Sequence, residues 1–536
     1  MQQIQKEKWL QQHKIINNMV KVIKKRWDGG VAQSERPETL NEHSDNNDTF
    51  PGQNGGFDIF KDPFKLTKLT SPTVNETASG ASVVSGECPV FSAAKRGTDG
   101  VIIGYGMTSM SGSSVARFYR KDTSITGGWQ QNSTSGNGID NFAGAHCILY
   151  KDLFFGISSS TFATETRLYK YVSDSSQTLI DTISDYSPET CPKPVVHSQD
   201  KRLYYASNKT VKYYDGTSVG SGITTDFPII SMCEYGTYLA IACQTPTGGI
   251  IYLWGRDTSL TTFQDVIKVD NGKLQVIENV DGYLVGVTQT PYSPYSAYSA
   301  IPVVYSYVGT VNVRMYVGGT MKLIKKARLG NNEQNSTQRL LAHKFVKDGK
   351  LFFSTNSNFL WSFGQNRNGE YVLARDQQIA YTNRTLDTLW GMFALGEYVF
   401  GLQSTTTGSP SSGLLNRTDA TYGSDYSYYT LPINDGMPIE DRGKMKSLKN
   451  VYIKGTSLTT SGTVNVKYQY DTNGSQVDLI TESVTSVRPK FFETTNELAG
   501  EQLASSRDLS FQIGVAGQID ITELGYEYDV IDTVSN

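Results

Sequence analysis

The side chains that could carry out chemistry are turn serines, threonines and aspartates, and they form no recognisable catalytic set. The turn from Ser124 to Trp129 approaches the Ser/Thr-x-Asp-x-Gly-x-x-Trp pattern of sialidases but lacks its aspartate. Asp257 and Asp281 lie in turns, where an aspartate commonly bonds its own backbone. The sequence has no Gly-x-Ser-x-Gly, no phosphate-binding glycine loop and no His-Glu-x-x-His. We therefore expect that the protein is not an enzyme.

Cysteines and histidines are the residues that most often hold metal ions, and here they are scattered. The five cysteines form no Cys-x-x-Cys pair, and several fall in apolar runs: Cys88, Cys147, Cys191, Cys233 and Cys243. Such residues are typical of buried free thiols in a protein made in a reducing compartment. The five histidines are spread along the chain, so we expect no zinc site and no cofactor.

The elements that would position any site are short strands in a recurring pattern. Its clearest copy has an apolar run at 229–232, a return strand at 238–242 and an aromatic-rich strand at 250–254. Alternating apolar and β-branched residues between turn residues predict strands. The return strand recurs after an Asp, Gly or Tyr turn, and we expect its apolar residues to be buried: Leu153, Leu203, Leu239, Leu284, Leu351 and Val399.

The spacing of these copies is close to the roughly 40 to 50 residues of a four-stranded propeller blade. The sequence therefore predicts an all-β protein whose residues 57–434 form a β-propeller of about seven blades. Six or eight blades remain open on this pattern. An irregular β-sandwich is the alternative, because strands of unrelated folds also resemble one another.

Residues 435–536 lose the blade pattern and predict a second, smaller β-domain. Val464, Val466 and Tyr468 alternate with polar residues, as in an antiparallel strand with one buried face. We interpret this region as a small β-sandwich or jelly roll. It carries fifteen acidic against nine basic residues.

Residues 1–56 differ from both regions and predict an N-terminal arm. Residues 1–27 have seven lysines and arginines against one acid, with apolar residues at mostly helical spacing. This pattern predicts a basic amphipathic helix. Residues 28–56 are a polar linker with little to bury. We interpret the arm as docking onto an acidic neighbouring subunit; a frayed tail and a membrane-surface helix are the alternatives.

A tyrosine-rich loop lies between two of the predicted blades. Tyr292, Tyr295 and Tyr298 recur every third residue beside two prolines, which favours an extended polyproline-like segment with the tyrosines along one edge. The loop is either a solvated hairpin tip or a contact between subunits.

Composition limits the partners. The chain has a net charge of −3, 19% charged residues and 32 tyrosines, and its basic residues cluster only at the N-terminus. Tyrosine enrichment with few charges suits extensive protein–protein contact. Specific nucleic-acid binding is not indicated, because it requires basic clusters for the phosphates. No apolar run reaches the roughly 20 residues of a membrane span, and the N-terminus lacks a signal-peptide core, so we expect a soluble product.

Several stretches resemble virion structural proteins of tailed bacteriophages: Trp27-Asp28-Gly29-Gly30-Val31, Phe57-Asp58-Ile59-Phe60-Lys61-Asp62-Pro63-Phe64-Lys65-Leu66-Thr67, the blade from Tyr252 to Leu260, and Leu274 to Glu278 leading into Asp281 to Gly286. In that family a β-propeller, followed by a terminal β-sandwich, sits in the tail as a ring-forming nozzle or hub. The resemblance covers most of the chain.

The resemblance implies a tail protein of the virion, made in the host cytoplasm, that forms a homo-oligomeric ring. Its expected partners are further copies of itself, other tail proteins, portal or adaptor proteins, and DNA that passes through without specific binding. The alternatives are a propeller at the tail tip that binds a host receptor or glycan, and a polysaccharide-cleaving glycosidase. The candidate interface residues are aromatic or apolar: Trp9, Ile15, Ile16, Met19, Trp27, Phe57, Phe60, Phe64, Tyr292, Tyr295 and Tyr298.

Overall fold

The structure is a computed structural model of the chain. It describes residues 19–31, 45–46, 48–50, 56–69, 73–76, 78–79, 90–107, 116–121, 128–131, 142–160, 165–184, 191–246, 248–259, 262–270, 272–290, 310–328, 343–354, 359–378, 388–396, 398–404, 414–416, 426–431, 433–458, 461–470, 476–495 and 506–531. Across these residues the regular structure is β-strand, apart from one short 3₁₀ turn at Ile439–Asp441.

The strands before and within the first half of the repeats are β1 Met19–Lys24, β2 Gly30–Val31, β3 Asp45–Asn46, β4 Asp48–Phe50, β5 Phe57–Asp58, β6 Leu66–Lys68, β7 Thr73–Glu76, β8 Ala78–Ser79, β9 Val90–Lys95, β10 Ile102–Met107, β11 Ala116–Lys121, β12 Trp129–Gln131, β13 Phe142–Tyr150, β14 Leu153–Ser160, β15 Thr166–Ser173, β16 Ser176–Ile183, β17 Val195–Val196, β18 Leu203–Ser207, β19 Thr210–Tyr214 and β20 Val219–Thr224.

The remaining strands are β21 Ile229–Tyr235, β22 Tyr238–Gln244, β23 Gly249–Trp254, β24 Asp265–Val269, β25 Lys273–Val280, β26 Tyr283–Gln289, β27 Thr310–Val317, β28 Thr320–Arg328, β29 Lys344–Lys347, β30 Lys350–Ser354, β31 Phe359–Gln365, β32 Tyr371–Gln378, β33 Thr388–Leu395, β34 Tyr398–Ser404, β35 Leu414–Asn416, β36 Ser427–Thr430, β37 Met445–Ser457, β38 Gly462–Tyr470, β39 Gln476–Val484, β40 Arg488–Thr494, β41 Leu509–Ala516 and β42 Ile519–Ile531.

The repeats fold into seven sheets within the described residues, so the predicted seven-bladed β-propeller is confirmed. The sheets are β8-β12-β11-β10-β9, β13 to β16, β17 to β20, β21 to β24, β25 to β28, β29 to β32, and β33-β34-β35-β7. We number them blades 1 to 7 in that order. First strands of successive blades contact each other, as β9 does with β13, β21 with β25 and β29 with β33.

Tight turns between the first and second strands explain the recurring Asp-Gly signature. Asp281 and Gly282 have φ of 51° and 85°, and Asp348 and Gly349 have φ of 52° and 71°. A two-residue type I′ hairpin needs positive φ at both central residues, which Asp and Gly tolerate best. The turn residues therefore set the register that places the apolar faces in the blade core.

The circle of blades is closed by a strand that precedes all the repeats. β7 pairs antiparallel with β35 as the fourth strand of blade 7. β8 follows at once and pairs parallel with β12 in blade 1. β9 of blade 1 also contacts β33 of blade 7. The ring is thus closed by hydrogen bonds between segments that are far apart in sequence.

The second region is a β-sandwich of two sheets built from both ends of the chain. One sheet has the order β40-β37-β42-β6-β5 with β1 also paired to β42, and the other is β39-β38-β41-β36-β4. Val464, Val466 and Tyr468 on β38 are fully buried, as the alternation predicted. They share one apolar core with Val22 and Leu66 from the N-terminal strands.

The chain divides into two compact units. One comprises residues 1–71, 361–378 and 419–536, and includes the sandwich; the other comprises residues 72–360 and 379–418. The predicted boundaries at 57 and 435 therefore shift. β5 and β6 belong to a sandwich sheet rather than to the propeller, and so does β36. The outer part of blade 6 groups with the sandwich residues.

The helix predicted within residues 1–27 is wrong for its described part. Met19–Lys24 is strand β1, antiparallel to β42 with Met19 opposite Asp529 and Lys24 opposite Leu524. An unpaired edge of β42 supplies a row of backbone partners, and tertiary pairing overrides the helical spacing of these few residues. Residues 1–18 lie outside the described part of the chain.

One residue of the predicted core is also misplaced. Leu203, Leu239, Leu284 and Leu351 are fully buried, whereas Leu153 is 38% exposed. Leu153 is the first residue of β14, directly after the Lys151–Asp152 turn, so its side chain lies at the rim of the blade. The side chain of Val399 lies outside the described residues.

Candidate functional site

A cavity of about 330 Å³ opens on the first strands of four consecutive blades. Blade 3 contributes the segment leading into β17, and blades 4, 5 and 6 contribute β21, β25 and β29. The lining residues are Lys193, Pro194, Val195, Met232, Cys233, Glu234, Glu278, Asn279 and Lys344. Two lysines and two glutamates therefore face one small space.

Lys344 is held by the walls of the cavity. Its side chain is 4% exposed. Its Nζ donates to the carbonyl oxygens of Met232 at 2.6 Å and Ile277 at 2.5 Å, and pairs with Glu278 Oε2 at 3.0 Å. An ammonium has three donors, and these contacts use all of them. Lys344 therefore links β21, β25 and β29 and has no donor left for a ligand.

Lys193 lines the same cavity without such partners. Among the described residues its ammonium makes no hydrogen bond and no ion pair closer than 4 Å. Burial lowers the pKa of Lys193; Glu278 partly offsets this effect, and the positive charge of Lys344 adds to it. The residue is only half-buried, so its ammonium keeps contact with solvent and has donors to offer.

Glu234 is bonded chiefly by the segment after β17. It accepts a hydrogen bond from the Ser198 backbone N–H at 3.1 Å and another from the Ser198 hydroxyl. His197 Nδ1 lies 3.6 Å away, but it accepts the Gln199 N–H, and Nε2 donates to the Tyr238 carbonyl oxygen. Burial and Arg256 lower the pKa of His197. His197 is therefore a neutral neighbour of Glu234.

Glu278 retains acceptor capacity as well. Its Oε1 accepts the Asn279 backbone N–H at 3.0 Å, and its Oε2 takes the Lys344 ammonium. A carboxylate has about four lone-pair positions, so both glutamates can accept further hydrogen bonds. The cavity offers free donors at Lys193 and free acceptors at Glu234 and Glu278.

Buried histidines and thiols lie near the cavity. The rings of His146 and His343 are 5.5 Å apart, and His146 Nε2 donates to the Cys191 carbonyl oxygen at 2.7 Å. Burial, with His343 next, lowers the pKa of His146 well below its ordinary range. Burial also raises the pKa of Cys233, so this thiol stays protonated and unreactive.

The four described cysteines are free and buried, as the sequence suggested: Cys147, Cys191, Cys233 and Cys243. Cys88 lies outside the described residues. Within the described part of the chain, no group of three or more His, Cys, Asp or Glu side chains could hold a metal ion. The described residues contain no helix that is long and apolar enough to cross a membrane.

A second arrangement lies in the sandwich unit, where the stretches of the virion-protein resemblance meet. The Trp27 backbone N–H donates to the Pro63 carbonyl oxygen at 2.8 Å. The rings of Trp27 and Phe57 both meet the edge or face of Tyr429, at centroid distances of 5.6 and 6.1 Å. The segments 27–31 and 57–67 therefore form one junction, with Trp27 fully buried in it.

Asp28 organises the polar side of this junction. It is 1% exposed and accepts hydrogen bonds from Arg26 Nε at 2.7 Å, Asn366 Nδ2 at 2.8 Å and Asn368 Nδ2 at 2.7 Å. Gly30 has φ of 73°, and a Cβ there would lie 2.4 Å from the Leu373 carbonyl oxygen. Both a left-handed backbone and close approach require glycine at this position.

The candidate interface residues separate into three groups. Trp27, Phe57 and Phe60 are buried in the core of their own chain, which removes them from the candidates because a neighbour cannot reach them. Phe64 is 63% exposed, and Met19 is half-buried in β1. The others lie outside the described residues: Trp9, Ile15, Ile16, Tyr292, Tyr295 and Tyr298.

Other apolar side chains are exposed on strands at the edges of sheets. Leu179 on β16, Val266 on β24 and Leu323 on β28 are each 48% exposed, on the last strands of blades 2, 4 and 5. Phe492 on β40 is 54% exposed at the edge of a sandwich sheet. Edge strands with exposed apolar groups are surfaces on which other chains can pair.

Sequence reasoning missed the cavity because it looked for catalytic motifs on loops. Lys193, Glu278 and Lys344 instead lie on or beside first strands. A usable signal was present at one of them: Glu278 follows the apolar residues Val276 and Ile277 in β25, and a charged residue at such a position needs a partner if it points inward. The convergence of three blades on one lysine is a tertiary property that strand patterning does not contain.

Comparison with known proteins gives structural likeness only. No protein-family model and no curated sequence matches the chain. The WD40 propeller domain of Doa1 covers 64% of this chain and 96% of its own length at 11% identity and a TM-score of 0.38. The Dos1 propeller covers 69% and 92% at 9% identity and a TM-score of 0.37. These structures share the β-propeller fold with this chain.

The expectation that the protein is not an enzyme is contradicted, and we withdraw it. The matched structures include the exo-β-1,3-galactanase of Phanerochaete chrysosporium, which covers 85% of this chain and all of its own at 10% identity and a TM-score of 0.28. They also include the family 43 arabinoxylan arabinofuranohydrolase of Bacillus subtilis, which covers 72% and 96% at 10% identity and a TM-score of 0.27. Likeness at this level concerns fold and assigns no activity to this chain.

Proposed function

We propose that the chain is a structural protein of a tailed-bacteriophage virion. It assembles through contacts between identical subunits into a closed ring of the tail, a nozzle or hub through which DNA passes. Its partners are further copies of itself and the adjoining tail, portal or adaptor proteins.

One observation carries this proposal. The two N-terminal stretches that resemble virion proteins, 27–31 and 57–67, come together in one buried junction around Trp27 and Asp28. Each residue type has a structural task there: Trp27 fills the core, Asp28 collects three hydrogen bonds, and Gly30 permits close backbone approach. If the resemblance reflected only the chance similarity of β-strands, we would not expect the matching residues to meet in one junction.

The edge strands support assembly. Leu179, Leu323 and Phe492 expose apolar surface on edge strands of different sheets. A ring needs two different surfaces on each subunit, because a heterologous contact repeats until the rotation closes it. The low net charge of −3 suits a conduit, since a strongly basic wall would hold the phosphates of passing DNA.

The deciding measurement is the copy number and symmetry of this protein in purified particles, by quantitative mass spectrometry and electron cryomicroscopy. The proposal expects a closed ring around the tail axis and a copy number equal to the ring symmetry. A single copy, or a protein that projects outward from the tail without contact between copies, would overturn it.

The ring contact can be tested in the purified chain with Leu179→Asp and Leu323→Asp. At least one of these variants should lower the assembled mass measured by light scattering, because a buried carboxylate opposes an apolar contact. Lys201→Asp, at an exposed position in the turn before β18, is the control and should leave the assembled mass unchanged. Equal assembly by all three variants would remove these edges from the ring contact.

A further inference from the structure

Two tyrosines lie together on the outer face of a sandwich sheet. Tyr426, just before β36, and Tyr428 within it have nearly parallel rings, with centroids 5.8 Å apart. Both residues are half-buried. Tyr429, between Tyr428 and the next residue of the strand, is fully buried in the core, so Tyr428 faces outward because side chains alternate along a strand.

A glycine lets both rings rest against the sheet. Gly514 of β41 lies opposite Tyr428. A Cβ at this position would lie 3.0 Å from Tyr428 Cε1 and 3.1 Å from Tyr426 Cδ1, which is closer than such atoms usually approach. The two rings therefore form one aromatic platform over Gly514.

Asn465 lies beside this platform with an acceptor that lacks a donor. Val464 and Val466 are fully buried in the sandwich core, so Asn465 between them faces outward, where it is opposite Gly514. Asn465 is 7% exposed, and its buried Oδ1 has no hydrogen-bond partner. A buried amide oxygen without a donor is costly, so a ligand that supplies a donor here gains affinity.

The amide nitrogen of Asn465 shows which way this oxygen points. Nδ2 donates to Thr481 Oγ1 at 3.1 Å and to Asp478 Oδ1 at 3.3 Å, and both acceptors lie on β39. These contacts use both N–H donors of the amide. Because the oxygen and nitrogen of a planar amide diverge, Oδ1 is turned away from β39, toward β41 and the platform.

The charged side chains beside the platform balance each other. Lys467 Nζ lies 5.9 Å from the centroid of the Tyr428 ring and 3.7 Å from Asp478 Oδ1. Gln512, opposite Lys467 on β41, donates from Nε2 to the Thr430 hydroxyl at 3.1 Å and keeps its carbonyl oxygen as an acceptor. The surface therefore suits an uncharged ligand with hydroxyl groups.

A sugar ring matches this combination of groups. Its C–H bonds carry a slight positive charge, which the negative face of an aromatic ring attracts, and its hydroxyls can donate to Asn465 Oδ1 and Gln512. A proline-rich peptide could also stack on the tyrosines, but its prolines have no N–H to offer Asn465. The unmet acceptor therefore favours the sugar.

We propose that this outer face of the sheet containing β38, β41 and β36 binds a neutral glycan. Tyr426 and Tyr428 stack on its sugar rings, and Asn465 accepts a hydrogen bond from one of its hydroxyls. The site shares no residue with the propeller cavity or with the junction around Trp27. It adds glycan recognition to the proposed structural role and does not depend on that role.

The test is binding of the full chain to linear tetrasaccharides of glucose, galactose, mannose and N-acetylglucosamine, by isothermal titration calorimetry. Tetragalacturonate and decaproline serve as comparison ligands, because the first is charged and the second lacks donors. We expect at least one neutral tetrasaccharide to bind, and both comparison ligands to bind at least about tenfold more weakly. Binding of none of the four, or equally tight binding of either comparison ligand, would overturn the proposal.

Tyr428→Ala should weaken binding of that tetrasaccharide at least about tenfold, since half of the stacking surface is lost. Gly514→Ala keeps both tyrosines but should also weaken binding, because the added Cβ displaces their rings. The matched control is Tyr283→Ala, at a 44% exposed tyrosine in blade 5, which should bind as the parent chain does. Equal affinity of Tyr428→Ala and the parent chain contradicts the assignment.

A second measurement covers the case in which Tyr428→Ala fails to fold. Hydroxyl-radical oxidation of the unmodified chain, followed by peptide mass spectrometry, reports on each tyrosine directly. The bound tetrasaccharide should slow the oxidation of Tyr426 and Tyr428 and leave that of Tyr283 unchanged. Equal oxidation of Tyr428 with and without the sugar contradicts the proposal. Neither measurement depends on ring assembly, so these results and those for the proposed function can fail separately.

Discussion

The propeller and the sandwich reach similar strand structures by opposite routes. In blade 4, β21 to β24 follow one another directly and pair in that order. In the sandwich, β1 pairs with β42, and the Lys21–Glu527 contact between them joins residues 506 positions apart. The blades are therefore local structures repeated around a ring, whereas the sandwich needs both ends of the chain.

The separation of paired strands along the chain affects the order in which the two regions fold. A hairpin between neighbouring strands closes a short loop, and loop-closure entropy rises with the length of chain enclosed. Contacts between distant residues form more slowly than local ones. We therefore expect most blades to acquire structure before the sandwich, which can be completed only when β42 is available.

The largest expected effect tests the far-reaching contacts of the sandwich. Lys24 Nζ lies 2.9 Å from Asp435 Oδ2, and their side chains are 3% and 4% exposed. Lys24→Met leaves Asp435 buried without this cation and should lower the free energy of unfolding of the sandwich by about 3–5 kcal/mol. Chemical denaturation measures this loss of stability, and amide hydrogen exchange at β42 locates it in the sandwich.

The double variant Lys24→Met, Asp435→Leu is the control for that prediction. Removing both charges of a buried pair is often close to neutral, so the double variant should recover much of the stability. If the double variant is as unstable as Lys24→Met, packing rather than the unpaired carboxylate accounts for the loss.

A somewhat smaller effect is expected from the propeller core. Leu239 on β22 is fully buried and packs in a cluster with Tyr204 and Trp254. Leu239→Ala should cost about 2–5 kcal/mol, as truncation of buried leucines does. Amide hydrogen-exchange protection should fall in blades 3 and 4, whereas the protection of the sandwich should stay unchanged. Leu153→Ala, at a rim position that is 38% exposed, should cost clearly less.

The two routes explain which parts of the fold the sequence could predict. The blades were predictable because each repeats a turn with its own chemistry, such as Asp281-Gly282, beside an alternating strand. The strand at Met19–Lys24 was not predictable, because β42, the strand it pairs with, lies at the other end of the chain. The same holds for β6, which pairs with β42, and for β5, which pairs with β6. Local pattern carries no information about such distant pairing.

The candidate site divides in the same way. Sequence reasoning found that Trp27, Phe57 and Phe60 are anchors but assigned them to a neighbouring subunit, since an isolated polar segment gave them nothing to bury against. It did not find the Lys193 cavity, whose lining comes from four blades. A residue's apolar character is a property of the sequence, whereas what it packs against is a property of the assembled fold.

A pH effect of intermediate size should come from the propeller. Burial holds the pKa of His146 well below its ordinary value, and His343, Lys193 and Lys344 add positive charge nearby when protonated. The unfolded chain then takes up a proton below about pH 6.5 while the folded chain does not. Stability should therefore fall as pH drops from about 6.5, by up to about 1.4 kcal/mol per pH unit from this group.

His146→Gln tests that effect, because an amide can still donate to the Cys191 carbonyl oxygen. Its unfolding free energy should depend less steeply on pH between about 6.5 and 5.5 than that of the parent chain. The comparison belongs in this window, since carboxylates begin to titrate below it. An unchanged slope would show that His146 is not the group responsible.

The smallest expected effect gives the sharpest comparison with Lys24, because the two lysines lie on the same strand. Lys21 Nζ is also 2.9 Å from its carboxylate partner, Glu527, but these side chains are 39% and 18% exposed. Lys21→Met should cost no more than about 1 kcal/mol, the usual range for surface ion pairs. In about 1 M salt, where the screening length is about 3 Å, the stability of Lys21→Met should become indistinguishable from that of the parent chain.

The loss of stability in Lys24→Met should persist in that salt, because a buried pair is poorly screened. Distance, strand and substitution are matched, so burial is the variable that remains. Equal losses from both variants would mean that β1 is held by its backbone pairing with β42 and that neither ion pair decides its stability.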